Sequence, residues 1–325
     1  MKYLMRKVML YAFIAWAALT LNFLIPRMMP GDPVALLIER MEGRIAPEAM
    51  EAIAESYGIT DDPMIVQYVT YLGNLLKGDL GLSIGFHPVP VADIVMQALP
   101  WTIGLVGLTT IISFLLGTSL GVLLAWRRGK KSDYILPFLT FFNGVPYFWM
   151  ALILVLVLAV NLGWFPVAGA YQRAMIPGFN AEFIGSVAYH GILPALTIVL
   201  GSFAGWVLGM RNMTVTVLGE DYVTMAEAKG LPRRMVLFTY AARNSILPSI
   251  TSFALSLGAV VGGSMLTEVI FNYPGVGYTL FQAVENQDFP LMQGLFLIIS
   301  LTVILANLIA DIVYVFLDPR TRTEA

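Results

Sequence analysis

Apolar runs long enough to cross a bilayer alternate along this chain with polar stretches of unequal length. No Asp, Glu, Lys or Arg occurs in residues 8–26, 94–126, 134–172, 183–210, 244–267 or 289–310, runs of 19, 33, 39, 28, 24 and 22 residues. About 20 apolar residues span the hydrocarbon core as a helix, because lipid offers no partner for a backbone N–H or C=O. The pattern predicts six spans. The 39-residue run exceeds one helix, and Gly163, Pro166 and Gly169 break its second half. A span near 134–160 followed by a loop is expected. The uncharged run 269–284 carries Tyr273-Pro274-Gly275 and Gly277 and reads as a loop, with re-entry into the membrane left open.

Two polar stretches stand out between the spans. Residues 27–93 hold four basic and ten acidic residues. Within them, Asp62 as a cap, Pro63 in the first turn and a stripe of Ile65, Tyr68, Val69, Leu72, Leu75 and Leu76 predict a helix ending before Gly78. Residues 211–243 read as a helix around Ala226-Glu227-Ala228-Lys229, a turn at Gly230-Leu231-Pro232 and a second helix. A polar connection of that length between spans has a task of its own, here contact with a cytoplasmic partner.

Charge gives the orientation. With the N-terminus inside, 14 basic residues fall on the inner side (Lys2, Arg6, Lys7, Arg127, Arg128, Lys130, Lys131, Arg211, Lys229, Arg233, Arg234, Arg243, Arg320, Arg322) and 5 outside. Basic residues accumulate in the cytoplasm, so both termini are expected there. The acidic stretch 27–93 then lies outside, as a solvated face or a docking surface. Residues 1–25 have the basic start and apolar run of a signal peptide, but the run continues past Ala15-Trp16-Ala17 to Ile25, so an uncleaved anchor is expected.

Composition agrees with a membrane protein: 58% of the 325 residues are hydrophobic and 12% charged. That is half the charge of a water-soluble domain and excludes a cytosolic enzyme. Cys is absent, and His87 and His190 are the only histidines, which removes thiolate sites and leaves little for a metal centre. Gly117-Thr118-Ser119-Leu120-Gly121 fits the nucleophile-elbow pattern but lies mid-span without a placed acid or His, so close helix packing is the expectation. The same small-residue spacing recurs at Gly201, Gly205 and Gly209, and at Gly258 and Gly262. Gly129-Lys130-Lys131-Ser132 has Leu124 where a P-loop needs Gly, so no ATP site is expected in this chain. Ionisable groups in spans are costly and point to function. Glu268 and Asp311 are the two candidates, with Arg211 as a partner for Asp311.

The segment Glu220-Asp221-Tyr222-Val223-Thr224-Met225-Ala226-Glu227-Ala228-Lys229-Gly230-Leu231, followed by Arg243-Asn244-Ser245-Ile246-Leu247-Pro248, resembles the EAA loop of binding-protein-dependent ABC importer permeases of the dipeptide/oligopeptide/nickel branch. Further blocks agree in the same order: Pro30-Gly31-Asp32-Pro33, Gly78-Asp79-Leu80-Gly81-Leu82-Ser83, His190-Gly191-Ile192-Leu193-Pro194-Ala195, Pro274-Gly275-Val276-Gly277 and Asp318-Pro319-Arg320. Where the general pattern has Glu-Ala-Ala ahead of the glycine, this chain has Thr224, Met225 and Ala226.

The resemblance implies an all-α integral membrane protein with six transmembrane helices and the type I permease fold. It divides the chain into an N-terminal helix with external segment (1–93), a permease core (94–317) and a cytoplasmic tail (318–325). It implies a prokaryotic inner membrane and an importer moving short peptides by alternating access. The partners would be a second homologous permease in a heterodimer, two cytoplasmic ATPases that carry the MgATP, an extracytoplasmic binding protein and membrane lipid. Nucleic acid is not expected among them. Thr224, Met225, Ala226, Glu227, Ala228, Lys229, Gly230, Leu231, Pro232, Arg233 and Arg234 would form the ATPase-coupling loop. Asn143, Gln293 and Asn307 are polar positions within spans and candidates for the path.

Other readings compete. Oligosaccharides such as cello-oligomers suit the same importer class, and nickel suits it less well. An ion-coupled secondary transporter would have an ion-coupling site at mid-membrane and two inverted halves, and the sequence offers no such charge network. An intramembrane hydrolase needs the motif rejected above.

Overall fold

The computed structural model describes residues 2–28, 62–86, 88–262 and 264–317. His87 and the blocks Pro30–Pro33 and Asp318–Arg320 lie outside them. The described residues are helical apart from turns, an irregular stretch over 162–180 and one isolated bridge between Leu82 and Pro90. In chain order the helices are α1 (Lys2–Met28), α2 (Met64–Leu76), α3 (Val91–Trp126), α4 (Lys131–Gly144), α5 (Tyr147–Asn161), α6 (Ala181–Leu218), α7 (Asp221–Ala228), α8 (Arg233–Gly262), α9 (Met265–Ile270), α10 (Val276–Glu285) and α11 (Phe289–Leu317).

Five of these, α1, α3, α6, α8 and α11, are long and apolar enough to cross a membrane singly, and α4 with α5 makes a sixth candidate. That pair is bent by 99°, where a single span near 134–160 is expected from the sequence. The cause is Pro146, which removes an N–H and drives the preceding residue out of the helical region, so Val145 is extended at ψ 124°. Beyond α5, Gly163 and Gly169 do break the chain, at φ +64° and +92°. The helices also widen locally to π geometry at Ile103–Gly107, Val155–Asn161 and Val236–Ala242.

The run 269–284 is not a simple loop. After a break at Asn272 (φ +46°), α10 forms and buries Val276, Thr279, Leu280 and Ala283. Ten residues extend about 15 Å and are too short to span. The Tyr273-Pro274-Gly275 signal marks the break but hides the amphipathic helix behind it.

The chain divides into two compact units. The first comprises residues up to 102, 261–265 and 274–305. Its core packs Val91, Val95 and Ala98 against Val276, Leu280, Ala283, Leu291, Met292 and Leu295. Asp288, fully buried, starts α11 and ties it to the Gly78–Ser83 block. One carboxylate oxygen takes the Ser83 hydroxyl and the Gly85 N–H at 2.9 Å, while the other takes the Leu291 N–H at 3.1 Å. Elsewhere in this unit α2 lies on α1. Tyr68 and Thr20 share a hydrogen bond of 2.7 Å, Asn22 donates to Tyr71 at 3.2 Å, and Arg27 donates to Gln67 at 3.2 Å. Pro63, not Asp62, occupies the N-cap of α2, without a side-chain cap, and Gly78 follows the helix at φ +76°.

The second unit comprises residues 103–260, 266–273 and those from 306 onward. Its centre is the contact of α3 with α6. A Cβ on Gly121 would lie 2.7 Å from the Val207 carbonyl and 2.8 Å from Met210 Cβ, and one on Gly117 would strike Trp206. Both glycines of the rejected elbow are thus consumed by packing. Around them Phe114 stacks on Phe253 at 4.2 Å, and Ser202 donates to Ser113 at 2.8 Å. Buried hydroxyls at Thr109, Ser113, Thr118, Thr197 and Thr214 donate to the carbonyl four residues back, so each of these five has its partner within its own helix.

Asp288→Ala strands three donors in the first unit and is expected to cost about 3 kcal/mol or more of stability. Thermal unfolding in detergent, followed by intrinsic fluorescence, should show a clear drop in midpoint, with Asp288→Asn intermediate.

Candidate functional site

Two features of the second unit carry chemistry. The first is the polar end formed by α7 and the start of α8. Val223 and Ala226 of α7 bury against Val236, with Trp126, Val217, Leu231 and Tyr240 around them. This small core fixes α7 on the ends of the long helices. Gly230 closes the turn at φ +72°, a left-handed conformation that a residue with a Cβ enters only with strain, and open space surrounds it. Pro232 then caps α8.

Of the predicted coupling residues, Ala226 is core and Leu231 half-buried. Thr224, Met225, Glu227, Ala228, Lys229, Gly230, Pro232, Arg233 and Arg234 are exposed, so the charged groups point to water. Exposed apolar side chains lie among them in sequence: Tyr222, Met225, Met235 and Phe238, with Met225 60% and Phe238 57% accessible. Tyr222, Met235 and Phe238 are missed by reading charges alone. Asn244 braces the turn by donating to the Tyr222 hydroxyl at 3.0 Å and the Tyr240 carbonyl at 2.9 Å.

α8 runs from this end as one rod through Gly262, so the second helix of the polar stretch and the fifth span are a single element. Thr214 of α6 and Ser245 of α8 join the two rods by a buried hydrogen bond of 3.0 Å.

The second feature is an open cavity of about 510 Å³ between α6, α8 and the α4–α5 bend. Asn143, Tyr147, Ser202, Trp206, Ser249 and Ser252 are among its walls. The floor is the Gly201, Gly205 and Gly209 stripe. Here the small residues admit side chains from other elements: a Cβ on Gly201 would strike the Tyr147 ring, and one on Gly205 would sit 3.0 Å from Asn143 Oδ1. The lining mixes hydroxyls and an amide with the apolar Trp206, Met210, Met213 and Pro248, and contains no carboxyl, amine or guanidine. Of the sequence candidates for a path, Asn143 lines this cavity. Gln293 does not, and its backbone carbonyl accepts from Asn22 at 2.8 Å in the first unit. Asn307, half-buried on α11, is not part of the lining. Ser249, Ser252 and Ser256 repeat at helical spacing on α8, the signal by which this wall could have been found.

The acidic candidates divide. Arg211 faces Asp133 at 3.7 Å. Asp133 also takes the Gly129 N–H at 2.7 Å, so the Gly129–Ser132 segment is a turn held by its own carboxylate. Glu268 is fully buried on α9. Beside it, burial and then the Glu268 charge push the Tyr273 phenol up to about 12. Asp311 is half-buried on α11. Among the described residues no three His, Asp or Glu side chains gather as metal ligands.

The described residues thus combine up to six candidate spans with an ordered helix–turn–helix and a cavity without charged groups. Residues 117–323 match the family of binding-protein-dependent transport system inner membrane components. The chain belongs to that family, and its fold is the type I permease fold. It is 37% identical over 320 residues to the oligopeptide transport system permease protein AppB of Bacillus subtilis, covering 98% of both chains. It is 34% identical over 321 residues to the di/tripeptide transport system permease protein DppB of Pseudomonas aeruginosa, covering 94% of each. The dipeptide transport system permease protein DppB of Escherichia coli is 33% identical over 320 residues, with 93% of each covered.

With no native Cys, single cysteines report on the cavity. Ser252→Cys should react rapidly with a charged, water-soluble thiol reagent, while Ser113→Cys, fully buried, should stay unmodified. Protection of both would mean that water does not enter.

Proposed function

We propose that this chain is the membrane permease subunit of an ATP-driven importer of short peptides. Both termini and the α7–α8 end face the cytoplasm, where that end receives one of two partner ATPases. MgATP binds and is hydrolysed on those ATPases. A second homologous permease completes the translocation path, and an external binding protein delivers the solute. The observation that carries the reading is the α7–Gly230–α8 turn, exposed at the end of a rod that also lines the cavity. The basic residues of the inner set support the orientation.

The physical argument is one of leverage. A force on α7 passes through the Val223, Ala226 and Val236 core to α8, and through Thr214 and Ser245 to α6. Packed rods move as bodies, so closing of the ATPase pair shifts the cavity walls and exposes them to one side of the membrane at a time. Peptide cargo is supported by the relatives named above and by the lining. Hydroxyls and an amide match peptide N–H and C=O groups, and the absence of a fixed charge leaves the path indifferent to the charge of cargo side chains.

Gly230→Val forces a β-branched residue into the left-handed region and distorts the turn without touching a span. In vesicles reconstituted with the partner subunits, insertion and assembly should be retained, while ATP hydrolysis no longer drives uptake. Normal uptake by this variant would sink the coupling role. Cargo is tested separately by competition: di- and tripeptides should block uptake and cello-oligosaccharides should not, and the opposite result would make this a sugar permease.

A further inference from the structure

The stripe that predicts α2 is only partly used. Tyr68, Tyr71, Leu72 and Leu75 turn toward α1 or are half-buried, yet Ile65, Val69 and Leu76 remain 75%, 64% and 90% accessible, and no residue of the helix is fully buried. On the helical wheel these three lie together, while Thr70 and Asn74, both exposed, fall on the other flank. The helix thus has an α1-facing side, a bare apolar side and a polar side.

Its height is set by what it touches. The partners of α2 on α1 are Thr20, Asn22, Phe23 and Arg27. All four lie inside the apolar window Met9–Met28, within about 12 Å of its end at 1.5 Å per residue. A helix bonded there sits beside the membrane-spanning part of α1, not above it. The 13 residues of α2 contain no charged group, and charges resume at once on either side, at Asp62 and at Lys77 and Asp79. On α1 itself Phe13, Trp16, Leu21 and Ile25 are apolar and exposed in the same way.

We infer that α2 is a monotopic helix embedded in the bilayer interface at the C-terminal end of the first span. Ile65, Val69 and Leu76 enter the acyl-chain boundary of the phospholipid, and Thr70 and Asn74 face the headgroups and water. The tyrosine hydroxyls, bonded to Thr20 and Asn22, hold the helix against α1 so that it cannot leave the interface independently.

The test uses the full chain in vesicles of phosphatidylethanolamine and phosphatidylglycerol. Nitroxide labels on single cysteines at Val69→Cys, Leu76→Cys, Thr70→Cys and Asn74→Cys report collisions with O2, which concentrates in acyl chains, and with a nickel chelate, which stays in water. The ratio of O2 to chelate collisions should be several-fold higher at positions 69 and 76 than at 70 and 74. A Leu76→Trp variant should add fluorescence that brominated acyl chains quench. Chelate collisions dominating at 69 and 76, as for a water-facing docking surface, would overturn the inference. So would low collision rates with both reagents, which would mean that protein covers this side.

Discussion

The second unit depends on one constraint: two helices in lipid must come close enough for backbone to touch backbone. No hydrophobic force draws helices together in a medium as apolar as they are, so contact has to come from shape. Gly117 and Gly121 provide it by admitting the α6 backbone at Val207 to within reach of a missing methyl group. Everything built on α6 inherits that position. The Thr214–Ser245 bond, the Ser202–Ser113 bond and the glycine floor of the cavity all refer back to this contact.

The same logic, read in reverse, explains the cavity. Along α6 one small-residue row is buried by nothing of its own, so Tyr147 and Asn143 from the α4–α5 bend can lean over it. The 99° bend is what brings them there. A straight helix through residues 134–160 would carry Asn143 and Tyr147 along the span and leave the row bare. The kink at Pro146 is therefore what builds this wall.

Much of this was legible in the sequence. Charge-free runs located every long apolar helix, because the absence of charge is a local property that lipid enforces residue by residue. The break at Gly230 was legible for the same reason: a single glycine with Pro232 two positions on suffices to turn the chain. What escaped were relations between segments. Gly144-Val145-Pro146 announces a break but not its angle, and α10 is hidden because its apolar partners Val91 and Val95 are distant in sequence. Polarity within a span does not encode facing, and Asn143 lies on the cavity while the Gln293 backbone meets Asn22 of α1. Ser252 carried a readable period but no sign of which side of α8 it served.

One feature of α8 bears on how such a chain tolerates change. Between its exposed start at Arg233 and its cavity face at Ser249 lies the widened turn at Val236–Ala242. A widened turn takes up one residue more than a regular one within the same full rotation, whereas one residue in a regular α-helix corresponds to about 100° about the axis. Removing a single residue within the widened turn would therefore regularise it and leave the serines of the cavity wall facing the glycines they now oppose. The same deletion in a regular part of the rod between Arg233 and Ser249 would swing those serines away.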